Sequence, residues 1–209
     1  MLDKSVDVFL SKLSSSSATP GGGSAAALIG AMGAALVSMV ANLTVGKKKY
    51  ESVESEVLKV LEESELLRTL LQGAIKKDVD AFNCVMDAYG LPKVSDEEKL
   101  ERSSQIQKAL KIAIEAPMEC AVLCARVLPL CKKIAKIGNV NIISDAGVAV
   151  LAVRAAFKSA ELNVYVNASA LKDKIFADAK IEEIRKLSHE VDKEEQECFS
   201  YVANVTLKQ

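Results

Sequence analysis

The sequence predicts an all-α protein, a long-helix up-and-down bundle, and three observations point there. Alanine, leucine, lysine, glutamate and valine dominate, while four prolines and ten glycines interrupt 209 residues; that is a composition of helix formers. From Val53 to Val85, apolar positions alternate at spacings of four and three, the pattern of a helix packed along a bundle or a dimer axis. No charge occurs between Lys12 and Lys47. That stretch is long enough to span a bilayer, but its Ala, Gly, Ser and Thr suit a helix buried on all sides in a soluble oligomer.

Bulk properties narrow the function. A chain of this length with 50% hydrophobic and 26% charged residues makes one sizeable domain, expected over residues 1–209. The net charge is −1, aromatics are 4% and tryptophan is absent, so neither nucleic acid nor an anionic membrane is expected as a partner. Five cysteines and no secretory segment after Met1 point to a reduced, cytoplasmic setting.

In chain order, the first helix is expected over Asp3–Leu13, with Val6, Leu10 and Leu13 on one face. A serine run then leads into Thr19-Pro20-Gly21-Gly22-Gly23-Ser24. Three glycines in a row suit a backbone that turns and comes close to something else. With Ser24 as N-cap, the loop would present unpaired N–H groups and the positive helix end to an anion or carbonyl; a flexible turn is the plainer reading. No Gly-Lys-Ser/Thr follows and the G-x-G-x-x-G spacing is absent, which argues against a nucleotide. The second helix is expected over Ser24–Val45. Its small residues Ala26, Gly30, Ala34, Ser38 and Asn42 recur every four positions, a stripe that admits another backbone closely. Gly46 ends it, and Lys47 to Lys49 either complement its dipole or bind an anion.

The third helix is expected over Glu51–Tyr89. Asp78 stands on its apolar seam, where a carboxylate is costly unless it is paired, hydrogen-bonded or protonated. It is the leading candidate for chemistry, with a buried helix–helix hydrogen bond as the alternative. Ser95-Asp96-Glu97-Glu98 opens the fourth helix with a capping box, and Pro117 should kink or restart it. Cys120 and Cys124 share a face, yet no histidine or further pair lies near, so they read as small buried hydrophobes rather than metal ligands. In the polar loop Asn139–Asp145, Ser144 or Asp145 should cap the next helix. Asn163 and Asn167 lie one turn apart on its far end. The last helix is expected over Asp178–Val205, with His189 and the acidic run Glu190–Glu197 on a solvated face.

Five motifs in one order then carry a resemblance: Thr19–Ala27, Asn42–Tyr50, Asp78-Val79-Asp80-Ala81-Phe82, Gly138–Asn141 with Ser144-Asp145, and Asn163-Val164-x-x-Asn167. Over the whole chain it resembles the cyclodeaminase/cyclohydrolase family, which includes the C-terminal domain of formiminotransferase-cyclodeaminase. The resemblance implies an obligate homodimer with a site near the subunit contact that takes a reduced folate, itself the substrate, with no metal or other cofactor. The implied reaction closes 5-formiminotetrahydrofolate to 5,10-methenyltetrahydrofolate with loss of ammonia, and the family's catalytic aspartate falls on Asp78, as general acid/base. Pro20, Gly21, Gly22, Gly23 and Ser24 would hold part of the folate. Asn141, Ser144, Asp145, Asn163 and Asn167 are candidates for the pterin or the reacting amidine, and Lys47 and Lys48 for an anionic, sometimes polyglutamylated tail. A formiminotransferase would be a separate partner. Methenyltetrahydrofolate cyclohydrolase is the alternative activity, and a non-catalytic folate-binding scaffold the second alternative.

Overall fold

Seven α-helices make up most of the computed structural model, which describes residues 5–208: α1 (Val6–Leu13), α2 (Gly22–Asn42), α3 (Glu54–Tyr89), α4 (Asp96–Ala113), α5 (Glu115–Ile137), α6 (Ile143–Ser169) and α7 (Lys174–Thr206). The expected start of the first helix at Asp3 lies outside the described residues. Two 3-10 turns, Lys48–Val53 and Val140–Ile142, precede α3 and α6, and no strand occurs among the described residues.

The architecture is an all-helical bundle, as expected; α4 and α5 run on in one direction along α3, divided only by the break at Ile114. Helix α2 lies antiparallel between α3 and α6. Its small residues make that possible: Ala26, Gly30, Ala34 and Ser38 are all buried, while Asn42 is exposed at the helix end. A side chain at Gly33 would overlap Val153 of α6 and stand 3.2 Å from the Ala149 carbonyl, so only glycine allows that approach. On the other flank, the buried hydroxyls of Ser38 and Ser64 pair at 2.8 Å. The α3 seam is buried from Val57 through Val60, Ser64, Leu67 and Leu71 to Ala74. Helix α5 runs back along α3, joined by Lys77–Glu119, Arg126–Glu63 and Lys133–Glu56.

Several boundaries differ from expectation, each for a local reason. Helix α2 begins at Gly22, because Gly21 takes the extended cap conformation and Ser24 does not cap. It ends at Asn42 rather than Val45, where Thr44 folds its hydroxyl back onto the Val40 carbonyl at 2.7 Å. The expected first turn of the third helix is 3-10. The capping box at Ser95 and Glu98 forms. The break comes at Ile114, three residues before Pro117. Proline lacks the N–H that would bond the Ala113 carbonyl and its ring crowds that oxygen, so Asn167 of α6 supplies the bond instead, at 3.1 Å. Neither Ser144 nor Asp145 caps α6; Asn139 caps the 3-10 turn that leads into it. Helix α7 starts four residues early, capped by Asp173. Its acidic run is only partly solvated: Asp192 and Glu195 meet Arg154, and Glu194 and Glu197 meet Lys132. His189 is exposed as expected.

Two surfaces stay apolar. Helix α1 buries no residue, and its Val6 and Leu10 face outward. Both α2 and α6 are long and apolar enough by composition to cross a membrane, yet most of the α2 window is enclosed by the fold. Met32 and Met39 of α2 and Leu43 just past its end stay uncovered, as do Val148, Leu151 and Leu162 of α6.

Cys120, Cys124, Cys131 and Cys198 are buried, and Cys84 is exposed. The neighbouring Cys120 together with burial pushes the Cys124 thiol well up, burial does the same to Cys131, and burial pushes Cys198 up to about 11. Thiolate is the reactive form. A thiol-reactive chromophore at neutral pH should therefore titrate one fast equivalent in the native protein, from Cys84, and all five cysteines after denaturation. Fast reaction of two or more native thiols would contradict this packing.

Candidate functional site

The cleft exists because the central helix starts late. Gly23 of α2 lies level with Asp78 of α3, and Gly22 level with Asn163 of α6. Beyond that level α3 continues for eleven residues to Tyr89, roughly 16 Å of helix, and α6 continues to Ser169. The space where α2 would have continued is a cleft of about 420 Å3, within the range of small-molecule sites. The α3 seam that packs on α2 lower down becomes the cleft wall here, through Asp78, Ala81, Phe82, Val85, Met86 and Tyr89. Asn163, Val166 and Asn167 form the facing wall, and the Ala18–Gly23 loop closes the inner end.

Asp78 is the only carboxyl among the lining residues, which include no lysine, arginine, histidine or cysteine. It is half-buried. The Ser24 hydroxyl, itself fully buried, donates to Oδ2 at 2.7 Å. A methyl group at Gly23 would overlap Oδ1 and stand 2.6 Å from the carboxyl carbon. Glycine at 23 is thus the condition for seating the carboxylate against the start of α2. That start has no side-chain cap, so its first-turn amides and the positive end of its dipole face the cleft. The arrangement supplies one oriented acid/base group on a polar floor, with an apolar slot leading outward. Among the described residues no three His, Cys, Asp or Glu side chains stand together as a metal ligand set.

Of the residues singled out in the sequence, the structure brings Gly21, Gly22, Gly23, Asp78, Asn163 and Asn167 together on the cleft. Pro20 and Ser24 are buried behind it. The Asn163 amide donates to the Ser159 carbonyl at 2.8 Å, and that of Asn167 to Ala113, which leaves their side-chain oxygens as the acceptors available to a ligand. Lys47, Lys48, Asn141, Ser144 and Asp145 are elsewhere. They gather at the opposite end of α2, whose 21 residues set about 30 Å between the two groups. There the motif residues hold a joint: Thr44 Oγ1 accepts from the Asn139 amide at 2.9 Å, and Tyr50 OH from the Val140 amide at 3.0 Å. Met86, Tyr89 and Val166 were not foreseen. Their signal was the apolar spacing at 82, 85, 86 and 89, which carries the seam past Asp78.

Comparison with known proteins adds an independent line. The sequence profile of the formiminotransferase-cyclodeaminase family matches residues 5–186. A methenyltetrahydrofolate cyclohydrolase of Methylorubrum extorquens is 55% identical over 185 residues, 88% of this chain and 89% of that protein. A formimidoyltransferase-cyclodeaminase of Rattus norvegicus is 30% identical over 91% of this chain, which spans 35% of that longer protein. A solved structure, the formiminotetrahydrofolate cyclodeaminase of Thermotoga maritima, superposes with a TM-score of 0.88 at 31% identity over 98% of each chain.

The close approach at Gly23 is directly testable. Gly23→Ala should lower stability by about 1–3 kcal/mol through overpacking, despite alanine's better helix propensity, and should move Asp78 off its seat. A melting temperature and a crystal structure of the variant would check both. An unchanged melting temperature with Asp78 still bonded to Ser24 would refute the constraint.

Proposed function

The chain belongs to the formiminotransferase-cyclodeaminase family, and on that premise we propose that it is a methenyltetrahydrofolate cyclohydrolase with Asp78 as its general acid/base. The observation that carries this choice is the 55% identity to a protein of that name across nearly the full length of both chains. It reverses the order in which the motifs alone rank the two activities.

The chemistry suits a single carboxyl. The carbon bridging N5 and N10 of the methenyl form is cationic, and Asp78 is the one anion on the cleft. Water adds to that carbon while Asp78 takes its proton, giving a tetrahedral centre. The same carboxyl then returns the proton to N5 as the carbon–N5 bond breaks, while the hydroxyl of the tetrahedral centre releases its own proton to solvent and becomes the carbonyl of the formyl group on N10. The Ser24 hydroxyl holds Oδ2 throughout, so Oδ1 is the oxygen free to exchange the proton. The first-turn amides of α2 and the side-chain oxygens of Asn163 and Asn167 can hold pterin carbonyl and amino groups.

Cyclodeaminase activity is the second reading, favoured by the structural match to a protein of that activity. There N10 attacks the formimino carbon, and Asp78 passes a proton to the departing ammonia through the same kind of tetrahedral centre. Two assays separate them. Loss of the methenyl chromophore is expected in wild type, with kcat reduced about 10²–10⁴-fold in Asp78→Asn and circular dichroism unchanged. Ammonia release from 5-formiminotetrahydrofolate without cyclohydrolysis would select the second reading. Inactivity in both would leave a folate-binding scaffold.

We also propose that a second copy of the chain covers the apolar strip of α2 and α6. The strip carries Met32, Met39 and Leu43 with Val148, Leu151 and Leu162, and it reaches the cleft wall at Val166. Such a pairing would complete the burial expected for α2 and set the cleft at the subunit contact. Sedimentation should show a dimer at micromolar concentration and a monomer for Met32→Lys. A wild-type monomer at that concentration rules the pairing out.

A further inference from the structure

A folate carries its carboxylates on a glutamate joined to the p-aminobenzoyl ring, at the end remote from the reacting carbon. This inference rests on the folate reading above. With the reacting carbon at Asp78, the inner end of the cleft is closed by Gly23 and Ser24, both buried. The ring and its tail must therefore leave along the apolar wall of Phe82, Met86 and Tyr89 toward the outer end. Lys47 and Lys48, the cations the motifs suggest for the tail, lie in the opposite direction, about 30 Å away along α2.

Two other cations lie past that wall, Arg102 against Tyr89 and Lys172 beyond the end of α6, and they meet at adjacent residues of α4. Arg102 reaches across to α3, where Nε and Nη2 donate to the Tyr89 carbonyl at 3.2 and 3.0 Å. Its guanidinium lies 5.5 Å from the Tyr89 ring centroid. From the other wall, just beyond α6, Lys172 Nζ donates to Ser103 Oγ at 2.6 Å, and its backbone amide donates to Gln107 at 2.6 Å. The hydrogen-bond partners of both groups are neutral, a carbonyl and a hydroxyl. The nearby carboxylates Asp87 and Glu101 line a different groove between α3 and α4, with Cys84, Gln105 and Lys108. Arg102 is tied to a residue that lines the cleft, Tyr89.

We propose that Arg102 and Lys172 receive the carboxylates of the substrate's glutamate tail. A planar guanidinium offers a carboxylate two parallel N–H donors, and a lysine adds a point charge on the opposite side. Because the tail is far from the bond being broken, its capture contributes equally to ground and transition states and is read in KM rather than kcat.

The test uses Arg102→Gln, Lys172→Gln and the double variant, assayed on whichever folate substrate the wild type turns over and on its pteroyl analogue lacking the glutamate. The double variant should raise KM for the glutamyl substrate about tenfold, with kcat unchanged and KM for the analogue unmoved. In wild type, added salt should raise KM for the glutamyl substrate alone. An equal rise for both substrates would mean that Arg102 only positions Tyr89, and it overturns the assignment. So does an unchanged KM, or a selective rise produced by Lys47→Gln or Lys48→Gln instead. If the wild type turns over no folate in either assay, the functional reading fails first and this assignment falls with it.

Discussion

Everything in this molecule is arranged around one contact, the seating of the Asp78 carboxylate over Gly23 with Ser24 donating to Oδ2 at 2.7 Å. A carboxylate on an apolar helix seam is costly to bury. Here the cost is offset by a buried hydroxyl and by the uncapped positive end of α2. The contact also registers two helices against each other, since moving α3 by one turn would separate Asp78 from Ser24 and Ser64 from Ser38. One polar interaction thus sets both the register of two helices and the position of the carboxylate on the cleft.

The cleft follows from the same register. Helix α3 uses a single heptad-like seam for two purposes. Below Asp78 the seam meets α2 and is core; above it the partner has ended and the same apolar face is open. No separate binding module is required, because the site is the unfilled continuation of the core. This explains why its outer wall is apolar and its floor polar. It also explains why the α4–α5 break lies beside it: Pro117 frees the Ala113 carbonyl, and Asn167 on the opposite wall takes it up. The α6 wall is tied to the end of α4 by a bond that a regular helix would have kept to itself.

Much of this was legible in the residues. Periodicity located α3 and its buried face, the small-residue stripe foretold a helix enclosed by others, and the capping box marked the start of α4. Asp78 stood out because it broke an apolar pattern. What failed was local chemistry with a competing partner. Ser24 has the composition of an N-cap, but its hydroxyl is claimed by a residue 54 positions away, which no local rule can see. Ser144 and Asp145 lost the capping role to a 3-10 turn held by Asn139. The site motifs were also read as one group, whereas the length of α2 divides them. Thr44, Tyr50 and Asn139 form a structural joint at one end, and the cleft forms at the other.

The composition of α2 has a consequence for how the protein comes into being. Its 21 residues include glycines at 22, 23, 30 and 33 and lack an N-terminal side-chain cap. Each glycine weakens an isolated helix by about 1 kcal/mol relative to alanine, and short uncapped helices are marginal in water. Its second flank is enclosed only when α6, more than a hundred residues further along the chain, is in place. Until then α2 is an uncharged, sticky strand of chain with little reason to be helical, a natural client for a chaperone. The element at the centre of the finished bundle therefore depends on its neighbours for its shape, and the cleft above it, walled by α3 and α6, forms only once α6 has docked.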